Sequence, residues 1–248
     1  MGADAVECDV QLSRDGYPVI IHDLTLDRTT DGRGPVQQKT LAELQALNAG
    51  RSRGVYQRIP RLEEVLDLVR RRCGQINLEI KGQSVKETVT TAAVILPILE
   101  DLAEDFRPRV LVSSFAHPAV ALLKEELPWL RVGLLMGREW RGMDTVDMIA
   151  LALACGAEAI HLDAGPLTEN SVAEAHQAGL RVNVWTANSW LRIRRLLRWQ
   201  IDGIFTDLPE RVIILRALMS SPSEVTFDAR ISSRVSIGEK VMHGEIEE

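Results

Sequence analysis

Two acidic residues, Glu7 and Asp9, stand two positions apart in an otherwise apolar stretch near the start of the chain. Alternate residues of a β-strand point to the same face, so a strand here would place both carboxylates side by side, ~7 Å apart along the chain. Burying two like charges costs several kcal/mol unless something compensates for them. A hard divalent cation is one compensation, and an edge strand with both acids in solvent is the alternative.

Other residues that could take part in chemistry follow further apolar runs. His22 comes directly after the β-branched run 19–21, and Glu79 and Lys81 lie in or directly after a second apolar segment. The ends of parallel strands are where α/β folds place their chemistry. A histidine can give or take a proton near neutral pH, and a lysine can face a phosphate. Together with the acids they favour a metal-dependent site over a solvent-exposed edge.

The elements that must position these residues form a regular series. Short apolar runs alternate with helical patterns along most of the chain, which predicts a parallel sheet. At 248 residues, a closed (β/α)₈-type TIM barrel is favoured over an open doubly wound sheet, and no dinucleotide-binding fingerprint follows a strand. Strands are predicted at 76–81, 109–115, 131–136, 159–163, 181–186 and 203–207, each followed by a helix.

The alternating pattern stops near residue 220, where Ser, Pro and charged residues take over. We therefore predict a barrel domain over residues 1–218 and a C-terminal tail over residues 219–248. The tail is expected either to be disordered or to patch an open seam of the barrel, because segment 225–235 could form a strand or a hairpin. That segment has no clear periodicity, so we assign it no structure.

Composition excludes several classes of protein. The apolar fraction of 46%, the charged fraction of 26% and the net charge of −6 describe an ordinary globular chain and argue against a nucleic-acid partner. No run approaches the ~20 apolar residues of a membrane span, and no signal peptide is visible. Three widely spaced cysteines, Cys8, Cys73 and Cys155, predict neither disulfides nor zinc. We therefore expect a cytoplasmic location.

Six segments then follow one another in a specific order. They are residues 2–30 (with GADAVECDV, HD and RTT), 59–66, 77–81 (NLEIK), 113–115 (SSF), 182–188 (VNVWTAN) and 202–209 (DGIFTDLP). With them the chain resembles the glycerophosphodiester phosphodiesterase family over residues 2–218. The resemblance implies a TIM barrel that hydrolyses small-molecule glycerophosphodiesters to sn-glycerol 3-phosphate and an alcohol, with Ca²⁺ or Mg²⁺ as the cofactor.

The resemblance also implies roles for individual residues. An all-oxygen site suits Ca²⁺ or Mg²⁺ better than zinc, and such a cation would hold a phosphoryl oxygen. In this reading the metal ligands are Glu7, Asp9 and Glu79, the catalytic residue is His22, and the substrate-binding residues are Lys81 on the phosphate side and Trp185 on the glycerol side.

One departure from the family pattern qualifies these roles. The family begins one barrel unit earlier, with a strand that ends in His-Arg-Gly, and nothing before Gly2 supplies it. We therefore expect a barrel without the first β/α unit and its catalytic histidine. His161 is the first residue to consider as a replacement, but a structural role fits it better.

Two alternative functions stay open at this point. One is a catalytically impaired barrel that binds a cation and a phosphodiester without turnover. The other is a phosphodiesterase that acts on lysophospholipid-type substrates. A barrel without its first strand would have an open seam and unpaired strand edges, and these favour a homo-oligomer.

Overall fold

The computed structural model describes residues 2–50, 54–72, 74–137 and 142–219, and the backbone of residues 232–234. None of the helices in this part of the chain is both long and apolar enough to cross a membrane. The strands are β1 (Ala5–Leu12), β2 (Pro18–Ile20), β3 (Gln75–Ile80), β4 (Val110–Ser114), β5 (Arg131–Met136), β6 (Ala159–Asp163), β7 (Arg181–Trp185), β8 (Gly203–Ile204) and β9 (Ser232–Arg234). The α-helices are α1 (Leu41–Gln45), α2 (Leu62–Arg72), α3 (Val85–Glu100), α4 (His117–Glu126), α5 (Thr145–Ala154), α6 (Glu169–Gln177), α7 (Trp190–Arg198) and α8 (Pro209–Met219).

A single curled sheet forms the centre of the molecule. Its strands follow the order β2-β1-β3-β4-β5-β6-β7-β8, and from β1 to β8 all neighbours are parallel. From β3 to β8 each strand leads into a helix, and these helices cover the outside of the sheet. The prediction of a TIM-barrel-like α/β fold is therefore confirmed. In the described chain, β1 and β8 share no ladder, so the barrel wall is open between them.

The pattern of burial shows which face of each strand looks into the barrel. Cys8 lies between the two acids of β1 and packs into the main hydrophobic cluster beneath the helices, as the period of two predicts. The neighbouring acids therefore face the barrel interior. Helix starts are fixed by side-chain caps: Ser84, for example, accepts a hydrogen bond from the Glu87 N–H at the start of α3.

Two strands differ from the expectation. The run that precedes His22 was expected to be a parallel strand, but β2 pairs antiparallel with β1. The short turn at Ser13–Gly16 explains this, since a tight turn can join only antiparallel strands. The last parallel strand, β8, is only two residues long, although the Phe205 N–H still donates to the Val184 carbonyl of β7 at 2.9 Å.

Strand β9 is the part of the predicted tail that the structure describes. Its backbone pairs in parallel with Ala5, Val6 and Glu7, along the edge of β1 that faces away from β3. The same edge of β1 is bonded to β2 at its other end. The remaining residues of segment 225–235 lie outside the described chain, so the division at residue 218 stays a prediction.

Candidate active site

Three carboxylates converge inside the barrel where β1 and β3 run side by side. Asp9 and Glu79 are direct partners in the parallel ladder, and Glu7 lies two residues before Asp9 on the same face. One carboxylate oxygen from each residue lies within 4.8 Å of those of the other two. Glu7 and Asp9 are 2% exposed and Glu79 is 6% exposed. The alternative of an edge strand with its acids in solvent is therefore wrong.

The ammonium group of Lys81 lies against this cluster. Its Nζ is 3.2 Å from Asp9 Oδ1 and also contacts Glu79 Oε1. Lys81 directly follows β3 and has the same side-chain direction as Glu79, two positions earlier. Three carboxylates and one ammonium leave a formal charge of −2 in a buried site, which a single divalent cation would neutralise.

The donor set fits the cation that the sequence suggests. The three acids offer only hard oxygen ligands, which suit Ca²⁺ or Mg²⁺ and are a poor match for soft metals. Because the three acids are buried, a bound cation would stabilise them, since an anionic cluster in a low-dielectric interior is costly without a counter-charge. Glu7, Asp9 and Glu79 could therefore hold a divalent metal.

His22 lies at the same end of the barrel, in the segment that follows β2. The backbone of this segment is tied to β1, because Ile21 N–H donates to the Asp9 carbonyl at 3.0 Å. The side-chain amide of Gln11 adds further anchors. Its Nε2 donates to the carbonyls of Ile21 and Asp23, both at 2.8 Å, and lies 3.3 Å from the carbonyl of His22.

The imidazole of His22 is oriented by the next residue. His22 Nδ1 lies 2.7 Å from Asp23 Oδ1, and Arg28 donates to both oxygens of the same carboxylate at 2.6 and 2.8 Å. The hydrogen bonds from Arg28 hold the pKa of Asp23 down at about 2, so this carboxylate is ionised at neutral pH. An ionised partner favours the proton on Nδ1, which leaves Nε2 as the basic nitrogen.

Trp185 lies on the other side of the barrel, at the end of β7. Its indole Nε1 donates to the His161 carbonyl at 3.0 Å. The ring packs edge-to-face against Phe115, with ring centroids 5.7 Å apart. Strands β4, β5 and β6 separate β7 from β3, so the aromatic pair and the acid cluster approach the interior from different sides.

His161 is no replacement for a second catalytic histidine. It is fully buried on β6, where Asn183 Nδ2 donates to its Nε2 at 3.0 Å, and a Cβ at Gly133 would collide with its ring. Burial lowers the pKa of His161 to about 3, so its imidazole is neutral. The expectation of a structural role agrees with this environment.

Sequence reasoning did not assign roles to Gln11, Arg28 and Phe115. Gln11 stands two residues after Asp9 and so shares its face of β1, which is the signal that could have placed it in the site. Nothing in the spacing of Arg28 or Phe115 indicates their contacts. Those depend on the course of the loops that carry them.

Comparisons with known proteins point to one family. A glycerophosphodiester phosphodiesterase from Caldanaerobacter subterraneus subsp. tengcongensis is 35% identical over 218 residues, which are 87% of this chain and 86% of that protein. Another from Bacillus altitudinis is 34% identical and covers 88% of both chains.

Solved structures show the same fold. A phosphodiesterase from Oleispira antarctica, in complex with the product sn-glycerol-3-phosphate, aligns with a TM-score of 0.75 and 27% identity, covering 87% of this chain and 86% of that one. A glycerophosphodiester phosphodiesterase from Thermotoga maritima aligns with a TM-score of 0.66 and 25% identity, covering 87% and 86%.

A family-wide comparison spans nearly the whole barrel. The description of the matching family is "Glycerophosphoryl diester phosphodiesterase family", and the match covers residues 1–211. These residues include β1 to β8 and every site residue described above. The chain therefore belongs to the glycerophosphoryl diester phosphodiesterase family, whose members are phosphoric diester hydrolases.

Proposed function

We propose that this chain hydrolyses glycerophosphodiesters to sn-glycerol 3-phosphate and an alcohol, with a divalent cation, Ca²⁺ or Mg²⁺, held by Glu7, Asp9 and Glu79. The observation that carries the proposal is the buried cluster of these three acids with Lys81 in contact. When bound, the cation would supply Lewis-acid stabilisation of the charge that develops on the phosphoryl oxygens.

The other residues would bind and orient the substrate around that point. Lys81 provides a positive charge for the phosphate beside the acids. The indole face of Trp185, held by its hydrogen bond to the His161 carbonyl, offers an apolar wall for the glycerol carbons. His22, with Nδ1 directed at Asp23, has Nε2 available to take a proton from the attacking hydroxyl or to give one to the leaving alcohol.

A test of the proposal measures glycerol 3-phosphate release from several glycerophosphodiesters with Ca²⁺ or Mg²⁺ present. Glu79→Gln keeps the shape of the side chain but removes a charged ligand, so it should lower kcat by roughly two orders of magnitude or more. Titration calorimetry should show Ca²⁺ binding to the unmodified chain and its loss in Glu79→Gln. Glu125→Gln, an exposed change on α4, is the matched control. Full activity in Glu79→Gln would overturn the metal assignment.

A second candidate function is binding of a cation and a phosphodiester without turnover. It is favoured by the histidines of the described chain. His22 lies in a segment that is hydrogen-bonded to β1, whereas His161 is buried, His117 begins α4 and His176 bonds Asp202. One imidazole can serve only one of the two proton transfers at a time. Phosphodiester binding with no product after prolonged incubation would select this function.

The location that we infer for this activity is the cytoplasm. What supports it is the state of the cysteines, because Cys8 and Cys155 are buried and free in the described chain. Free thiols are typical of a reducing compartment.

A further inference from the structure

A cavity of about 500 Å³ lies beside Lys81, on the side of the barrel formed by β1 and β3, whereas Trp185 belongs to β7. Lys81 belongs to both the cavity and the acid cluster, since its ammonium contacts the acids and its chain lines the cavity. Gln11 and Leu24, on either side of the His22 segment, also form part of its wall. The turn between β1 and β2 and the first turns of α3 complete it.

Most of the side chains that line this cavity are polar or charged. Hydroxyl and amide side chains predominate, and only Leu12, Leu24 and Val94 are apolar. The polar uncharged residues are Gln11, Ser13, Gln37, Gln83, Ser84, Thr90 and Thr91, and the charged ones are Arg14, Lys81, Lys86 and Glu87. The lining thus offers many hydrogen-bonding groups and an excess of positive charge.

Three side chains of the lining, those of Gln37, Gln83 and Lys86, have donors or acceptors available to a ligand, whereas two others are already engaged. Glu87 accepts from the Gln83 backbone N–H at 2.8 Å, and Arg14 lies 3.6 Å from Glu43. By contrast, the side chains of Gln37, Gln83 and Lys86 are exposed and bond to no other residue of the described chain. Their donors and acceptors remain available to a ligand.

The lining does not suit a quaternary ammonium such as choline. Such a group is recognised by aromatic rings and anionic groups, and in the described part of the chain no aromatic residue lines this cavity. Hydroxyl groups, in contrast, can both donate to and accept from the amides and hydroxyls present.

From this chemistry we infer that the cavity beside Lys81 binds the alcohol portion of the substrate and selects a polyhydroxylated alcohol. The inference rests on the proposed function, which puts the phosphate at the acids and the glycerol at Trp185. A diester held this way extends its second alcohol toward the opposite side, where Gln37, Gln83 and Lys86 meet it. The preferred substrate is therefore a glycerophosphodiester of a polyol.

The test compares three substrates of the unmodified chain. Glycerophosphoglycerol and glycerophosphoethanol carry the same charge and differ by two hydroxyl groups and one carbon atom, while glycerophosphocholine carries a quaternary ammonium. We expect kcat/KM for glycerophosphoglycerol to exceed both others by about fivefold or more, the effect of one or two added hydrogen bonds. Equal values for the first two substrates would overturn the inference.

Variants locate the preference in the cavity. Gln83→Ala and Lys86→Met should each reduce the ratio of kcat/KM between glycerophosphoglycerol and glycerophosphoethanol by about threefold or more, and should leave the ethanol ester nearly unchanged. Arg194→Met removes an exposed cation from α7, outside the cavity, and should leave the ratio unchanged. An equal loss on all three substrates in the cavity variants would contradict selective contact with the alcohol.

Binding measurements distinguish failure of this inference from failure of the proposed function. If no diester is hydrolysed, the proposed turnover fails, and titration calorimetry with Ca²⁺ then decides the inference. Tighter binding of glycerophosphoglycerol than of glycerophosphoethanol, lost in Lys86→Met, supports the polyol site. Equal binding of the two diesters, or no binding of either, refutes it.

Discussion

At the scale of single residues, Asp23 is the group that sets the orientation of His22. It accepts from His22 Nδ1 on one side and from the Arg28 guanidinium on the other. The pKa of about 2 keeps it ionised throughout the neutral range. It touches no reacting atom, so we regard it as a positioning residue whose effect passes through the imidazole.

Asp23→Asn should therefore impair turnover more than substrate binding. The amide cannot accept from His22 and Arg28 with the strength of a carboxylate, so the imidazole loses its fixed tautomer and direction. We expect kcat to fall by about tenfold to a hundredfold and KM to change by less than about threefold. Steady-state kinetics on the best substrate measure both. Arg28→Gln, which leaves the carboxylate in place, should have a smaller effect on kcat, and a larger one would contradict this ranking.

His161 makes a second prediction at this scale, about stability and pH. Its folded-state pKa of about 3 is below the ordinary value near 6.5, so the unfolded chain takes up the proton first as the pH falls. The contribution of the neutral imidazole is thus complete above about pH 6.5 and is lost as the pH falls toward 3. Between pH 7 and pH 5 it should cost about 2 kcal/mol of the free energy of unfolding.

Urea unfolding at pH 7 and pH 5 measures that loss. His161→Gln removes the titrating group, so its free energy of unfolding should depend less steeply on pH over this interval, whatever its absolute stability. His176→Gln, at an exposed histidine on α6, keeps the buried imidazole and is the matched control. An unchanged slope in His161→Gln would show that another group causes the loss.

At the scale of elements, the β1–β2 hairpin carries two of the three proposed metal ligands, Glu7 and Asp9, and leads into the proposed catalytic residue His22. Gln11 connects its two parts, since one side-chain amide donates to carbonyls on both sides of His22. Gln11→Leu should lower the free energy of unfolding by about 1–3 kcal/mol, because buried carbonyls lose their donor. It should also lower kcat, because the His22 segment is then held less firmly.

Chemical denaturation and kinetics of Gln11→Leu test this connection. Gln177→Leu is the same exchange at an exposed site on α6 and should leave both quantities nearly unchanged. Retention of full stability and full kcat in Gln11→Leu would show that β1 and β2 hold His22 without the side-chain amide.

The elements also show what the sequence could and could not predict. Strands β5 and β6 have the predicted limits, because a buried parallel strand appears as a short, mostly apolar run between turn residues. The predicted direction of β2 was wrong, because the spacing of hydrophobic residues does not indicate whether neighbouring strands are parallel or antiparallel. The shortness of β8 was also missed, since Phe205 and Thr206 are buried like strand residues although the strand ends at Ile204.

The candidate site also has features that the sequence could predict and features that it could not. The acids Glu7, Asp9 and Glu79 could be placed together from a period of two and the end of a strand. The contacts of Gln11 with the His22 segment could not, since they require the path of a loop backbone in space. Sequence pattern thus predicts which residues share the face of a strand and misses contacts that depend on the path of a loop.

At the scale of the whole molecule, the barrel wall has a gap between β1 and β8, which share no ladder in the described chain. Strand β9 pairs with Ala5–Glu7 at that edge, and it also approaches β8. A free strand edge is a site for association with another chain. We therefore expect the tail, residues 219–248, to protect the edge of β1 and to hold Glu7, a proposed metal ligand, in register.

Removal of residues 220–248 should expose this edge. We expect the free energy of unfolding to fall by roughly 1–3 kcal/mol, from the loss of a few backbone hydrogen bonds, and the shortened chain to form dimers or larger species. Light scattering after size-exclusion chromatography measures the association, and calorimetry measures Ca²⁺ affinity, which should decrease because β1 carries Glu7 and Asp9. Removal of residues 237–248 alone leaves β9 intact and should change none of these quantities. A monomer with unchanged stability after the longer deletion would show that the tail plays no part in closing the barrel.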